Sequence, residues 1–212
     1  MTFFRIHKAQ IAAYGDSVFQ LIRGYPIKKT ASLVALLVGI GLAVSAQAAT
    51  ATGAPDMINA SLGYYDFDKD GSRGNADYRL EYEWGASILP MLNRDWASLD
   101  RYAMVHPIVG FEGTGDFMTY FNGGFGVDAP IGTHVVFSWD EAIGLYGHGD
   151  SNQSLGSPLE VRSQLELGWR FDNNVRLSTY ISHMSNLGAG DKNPGAETLG
   201  GYLHIPVSML SH

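Results

Sequence analysis

The chain has 212 residues, in which 21 acidic side chains outnumber 14 basic ones for a formal net charge of −7. That balance excludes a nucleic-acid binder, which needs basic patches to neutralise phosphates. The absence of cysteine removes disulfides as a source of stability and leaves the compartment open.

Residues 1–48 read as a secretory signal peptide rather than as part of a fold. Lys28 and Lys29 precede an apolar run from Ala31 to Val44, and Ala46-Gln47-Ala48 offers small residues to a signal peptidase. The run falls short of the ~20 residues that a membrane-spanning helix needs. Residues 1–27 make a long leader, through either a start assigned too far upstream or a non-standard signal, and a retained N-terminal anchor is the competing reading. Cleavage takes away five basic residues and one acid, Asp16, leaving nine basic against twenty acidic residues over 49–212. That length suits one domain with a full core or one closed barrel.

From there on the dominant signal is period two. Leu159, Val161, Leu165, Leu167, Trp169 and Phe171 alternate with Glu160, Arg162, Gln164, Glu166, Gly168 and Arg170, so one face of that strand is apolar and the other polar or small. Tyr78, Leu80, Tyr82 and Trp84 alternate in the same way with Asp77, Arg79, Glu81 and Glu83. The pattern predicts eight strands, at 57–67, 75–88, 100–113, 116–127, 132–146, 157–171, 174–186 and 196–209, most of them separated by breaks rich in Gly, Asn, Asp and Pro. Alternation fits both a secreted soluble barrel with its apolar face inward and a membrane barrel with that face toward lipid. Strand length, charges at consecutive positions of the polar face, and aromatic residues near strand ends (Tyr64, Tyr65, Trp84, Trp96, Trp139, Trp169 and Phe171) favour an eight-stranded antiparallel transmembrane β-barrel.

Three other patterns are weighed along the way. Asp66-Phe67-Asp68-Lys69-Asp70-Gly71, with Asp77 in the twelfth position, opens like an EF-hand loop. Strands rather than helices flank it, so a hairpin loop is the better reading, with a weak surface cation site as the lesser one. His106, His134, His148 and His204 show no metal-ligand spacing, and His204 shares the inward parity of Tyr202. Gly123-Gly124-Phe125-Gly126 has no lysine or helix after it and is no phosphate loop.

The chemistry concentrates at the end of the chain. His183 and Ser185 are two apart on the seventh predicted strand and so share a face. The following NLGAGDKNPGA has the composition of a chain reversal. Glu197 then opens the eighth strand, where a nucleophile, a base and an orienting carboxylate can form one chain of hydrogen bonds. By parity all three continue the lipid-facing row at the loop end of the barrel, where ionisable groups mark function.

His183-Met184-Ser185-Asn186, then Asn193, Gly195 and Glu197, then Tyr202 and Ile205-Pro206, resemble the lipid A 3-O-deacylase family of Gram-negative outer-membrane barrels. Gly63-Tyr64-Tyr65-Asp66 and Arg79-Leu80-Glu81-Tyr82 are similar to that family's opening hairpin, so the resemblance covers most of 57–209. It implies a serine esterase with Ser185 as nucleophile, His183 as base and Glu197 as the carboxylate. Asn186, Gly188 and Asn193 match positions near the family's oxyanion site. The substrate implied is the 3-O-linked hydroxyacyl chain of lipid A in lipopolysaccharide, reached from the outer leaflet of the outer membrane. No cofactor or metal is implied, and a homodimer is compatible with the resemblance although no sequence feature demands one. The alternatives are a non-catalytic structural or adhesive barrel, and an esterase or phospholipase acting on other lipids.

Overall fold

A computed structural model describes residues 54–67, 75–100, 102–150 and 154–210; the expected signal peptide and the centre of the EF-hand-like segment lie outside them. The strands are β1 (Met57–Tyr65), β2 (Asn75–Glu83), β3 (Met104–Thr114), β4 (Thr119–Ile131), β5 (Val135–Gly147), β6 (Leu159–Arg170), β7 (Arg176–Ser185) and β8 (Ala196–Pro206). Each pairs antiparallel with its neighbours in sequence, and β1 pairs with β8 to close the barrel. Strands of nine to thirteen residues match the ~9–11 that a tilted strand needs to cross hydrocarbon.

The barrel is inverted relative to a soluble one. On β6 the polar set Glu160, Arg162, Gln164 and Glu166 is buried, whereas Leu165, Leu167 and Trp169 are 46%, 54% and 49% exposed. Leu62, Leu80, Phe121, Leu145, Leu177 and Leu203 continue the outer apolar surface on other strands. Each such side chain left in water would forgo roughly 1.5–3 kcal/mol, and lipid recovers it. This decides between the two barrels that alternation allows: the chain is a membrane-spanning barrel.

Charged and hydroxyl side chains fill the interior. Arg79 donates to Asp77 at 2.8 Å and to Gln164 at 2.6 Å, while Arg162 reaches Glu112 at 3.1 Å and also pairs with Glu81. Nearer the end that carries Met57 and Pro206, Arg176 binds Asp128 at 2.6 Å and Glu83 at 3.3 Å. His204 lies in this network, as its parity predicts, with Ser178 at 2.9 Å and Glu166 at 3.2 Å. Asp77 is buried and paired with Arg79, so it is no ligand for an EF-hand-like loop.

The differences from the predicted strands have local causes. The β2–β3 connection, 84–103, holds a short helix α1 (Leu89–Leu92) and a 3-10 turn, Arg94–Leu99. Pro90 lies in the first helical turn, where its missing N–H costs nothing. Ser87 Oγ accepts the Leu89 N–H at 3.2 Å, and Asn93 Oδ1 accepts that of Asp95 at 3.0 Å. β2 and β3 are shorter than their predicted spans as a result. Of the expected aromatic girdle, Tyr64, Trp96, Trp139, Trp169 and Phe171 are exposed, but Tyr65 is a correction. Its parity turns it inward, where it packs with Met118, Tyr120, Tyr146 and Leu155.

Candidate active site

β7 and β8 are paired so that His183 stands opposite Glu197. Directly facing residues place their side chains within ~5.5 Å of each other, and here His183 Nδ1 lies 2.7 Å from Glu197 Oε1. A carboxylate only accepts, so Nδ1 carries the proton, and in the neutral imidazole Nε2 is the acceptor. Both side chains face outward, the imidazole 51% and the carboxylate 26% exposed. Gly195, at φ +68, lies against the ring: a Cβ there would come within 2.8 Å of His183 Cε1.

Ser185 ends β7 on the same outward row, opposite Val161 of β6. It is only 6% exposed where alternation predicts an open position. Among the described residues no hydrogen bond joins Ser185 Oγ to His183. The strands thus form the histidine–carboxylate leg and bring the serine next to it on one face. Catalytic hydrogen bonds of this kind often tighten only around substrate.

The loop after β7 is held by the residues that the sequence singles out there. Asn186 Nδ2 donates to the carbonyls of Leu155 and Lys192, each at 2.8 Å. Its Oδ1 accepts the Gly188 N–H at 2.9 Å, and Asn193 Oδ1 accepts the Asn186 N–H at 3.1 Å. Leu187 and Gly188 are both left-handed, at φ 53 and 77, which makes the turn possible. Asn186, Gly188 and Asn193 therefore lie together beside Ser185, and both amide hydrogens of Asn186 are occupied, one tying this loop to the one between β5 and β6 through Leu155 and the other closing the loop on itself through Lys192. Leu155, fully buried, and Lys192 enter the site only through their carbonyls, for which a sequence offers no signal.

One row of the outer wall emerges only from the strand register. Glu141 of β5 pairs with Ser163 of β6, Ser163 with His183 of β7, and His183 with Glu197 of β8. Ser163 Oγ donates to Glu141 Oε2 at 2.9 Å, and Trp139 Nε1 donates to Glu141 Oε1 at 3.0 Å. Beneath this row Leu165, Ile181 and Leu199, exposed and aligned across β6, β7 and β8, form an apolar band.

The one group among the described residues whose atoms converge as metal ligands do is Glu83, His106 and Asp128. The barrel assembles it from three strands, which is why His106 shows no ligand spacing in sequence. Arg176 already binds both of its carboxylates. The group borders a cavity of about 410 Å³ at the barrel end that carries Met57 and Pro206, lined in part by Met57, Met104 and Val136. That is the end opposite to His183 and Ser185.

The family model described as lipid A 3-O-deacylase (PagL) matches residues 57–206. A crystal structure of the outer membrane enzyme PagL aligns with a TM-score of 0.51 at 20% identity, covering 71% of this chain and 99% of that one. Neisserial surface protein A aligns with a TM-score of 0.45 at 11% identity, covering 73% and 97% respectively. No curated protein matches the sequence at a significant level.

Proposed function

Because the chain belongs to the lipid A 3-O-deacylase family, and so is an outer-membrane ester hydrolase that deacylates lipid A, we propose that Ser185, His183 and Glu197 carry out the hydrolysis. The ester proposed is the 3-O-linked hydroxyacyl ester. The observation that supports this most is the 2.7 Å contact between His183 Nδ1 and Glu197 Oε1 on the outer wall, where a bilayer supplies nothing polar unless function requires it.

In this reading Ser185 Oγ attacks the ester carbonyl while His183 Nε2 takes its proton, and Glu197 holds the imidazole in the tautomer that can do so. The carbonyl oxygen becomes an oxyanion and needs donors. With the Asn186 carboxamide occupied, backbone N–H groups around Gly188 are the donors proposed. Of the four from 186 to 189, that of Leu187 has no loop acceptor among the described residues. Asn186, Gly188 and Asn193 hold the turn that presents it. Collapse of the tetrahedral intermediate breaks the C–O bond, and His183 returns the proton to the departing sugar hydroxyl. A water, deprotonated by His183, then attacks the acyl-serine; the bond from Ser185 Oγ to the acyl carbon breaks, His183 returns the proton to Oγ, and a free hydroxy fatty acid leaves.

The apolar band of Leu165, Ile181 and Leu199 supports a substrate that stays in the bilayer with its acyl chains along the barrel wall and its ester at the rim, on the outer-leaflet side where lipopolysaccharide resides. The reading is tested by treating purified lipopolysaccharide with wild type and Ser185→Ala and identifying the released acid and the remaining lipid by mass spectrometry. Loss of a 3-O-linked hydroxyacyl group with wild type alone is expected. Equal deacylation by both proteins removes Ser185 from the mechanism, and loss of a different acyl group corrects the ester. A homodimer is part of the same proposal, and sedimentation in detergent decides it.

A further inference from the structure

On the described strands, the outward-facing Asp, Glu, Lys, Arg and His side chains are three: Glu141, His183 and Glu197. The outer faces of β1 to β4 carry none. The three are not scattered: the register puts them in one row, with Ser163 filling the remaining position between Glu141 and His183. The outward neighbours of Glu141 on β5 are Phe137, Trp139, Ile143 and Leu145, and those of Ser163 on β6 are Val161 and Leu165. A carboxylate so placed is costly at a lipid-facing wall, and Glu141 has no part in the hydrolytic steps.

Glu141 is also held in one orientation. Trp139 Nε1–H at 3.0 Å binds one oxygen and Ser163 Oγ–H at 2.9 Å binds the other. Each carboxylate oxygen has a further lone pair, so the group is an aligned acceptor pair with capacity for donors from outside. Two strand spacings separate it from His183, about 10 Å, which is about the reach from a reacting ester oxygen across one hexose to its neighbour. The β8 side of His183 is taken up by Glu197, so the open direction along the row runs over β6 toward β5.

We propose that Glu141, positioned by Ser163 and Trp139, forms a recognition subsite that accepts hydrogen bonds from hydroxyl or amide N–H groups of the sugar portion of the lipid substrate. The subsite rests on the esterase reading above and adds specificity to it: it binds a part of the substrate that does not react. An interaction of that kind, equal in ground and transition states, lowers KM and leaves kcat alone.

The test compares wild type, Glu141→Gln and Ser163→Ala, each refolded in detergent and checked by heat-modifiable gel migration, on two substrates. One is diglucosamine lipid A and the other a short-chain aryl ester with no sugar. Losing a hydrogen bond to a charged acceptor predicts a rise in KM for lipid A of about tenfold in Glu141→Gln, with a smaller rise in Ser163→Ala. Both kcat on lipid A and kcat/KM on the aryl ester should stay within about twofold of wild type. Unchanged KM for lipid A overturns the subsite, and so does an equal loss on both substrates, which would place Glu141 in the chemistry or the folding. Ser185→Ala in the same assay separates the two claims: if it keeps wild-type activity the esterase reading fails, whatever Glu141 does.

Discussion

At the residue scale, the site rests on one register pair. His183 and Glu197 face each other across β7 and β8, and in the mechanism proposed the carboxylate fixes the tautomer that leaves Nε2 free to take a proton. Glu197→Gln should therefore keep the fold and lower kcat on lipid A by roughly 10²- to 10⁴-fold; a change of less than tenfold would mean that the 2.7 Å contact is a surface ion pair with no catalytic part. Asn186 acts differently. Its carboxamide satisfies carbonyls of Leu155 and Lys192, so Asn186→Ala leaves buried acceptors without donors, at about 1–3 kcal/mol. The expected result is faster proteolysis within 186–195 together with loss of activity. Activity lost with the loop still protected would give the side chain a direct catalytic part instead.

At the scale of elements, the loop from β7 to β8 depends on Gly195 for two separate reasons. Its φ of +68 disfavours any side chain, and a Cβ would lie 2.8 Å from the His183 ring. Gly195→Ala is expected to cost about 1–2 kcal/mol in backbone strain and to push the imidazole away from Glu197, so that kcat falls while the barrel still folds; unimpaired kcat would show that the loop can move aside. Most of this layout is legible in the chain. Period two places eight strands and the outward parity of His183, Ser185 and Glu197, because a pleated strand allows each side chain only two directions. Tyr65 escapes the reading for the same reason: being aromatic and near a strand end suggests a girdle, but parity decides, and parity points inward. The Glu141–Ser163–His183–Glu197 row is hidden because it is a property of register across three connections. The β2–β3 helix is hidden because α1 is only four residues long, too short to show a helical period.

At the scale of the whole molecule, an apolar wall and a charged interior divide the stability between them. Arg162→Met strips the partner from the buried Glu81 carboxylate and one partner from Glu112, which should cost about 3–5 kcal/mol in urea unfolding from lipid vesicles. Leu167→Arg on the lipid face should cost about 2–4 kcal/mol near the bilayer midplane, whereas the same change in a barrel with that face in water would cost almost nothing. Both sets of residues serve to present one short row of polar groups to the membrane near the barrel's loop end. The most direct check on that arrangement is covalent: the folded protein in outer membranes is treated with a lipid-tailed fluorophosphonate and the modified residue is located by peptide mass spectrometry. The account predicts a single adduct on Ser185 that disappears in His183→Ala. Modification of another residue, or of Ser185 at an unchanged rate without the imidazole, would contradict it.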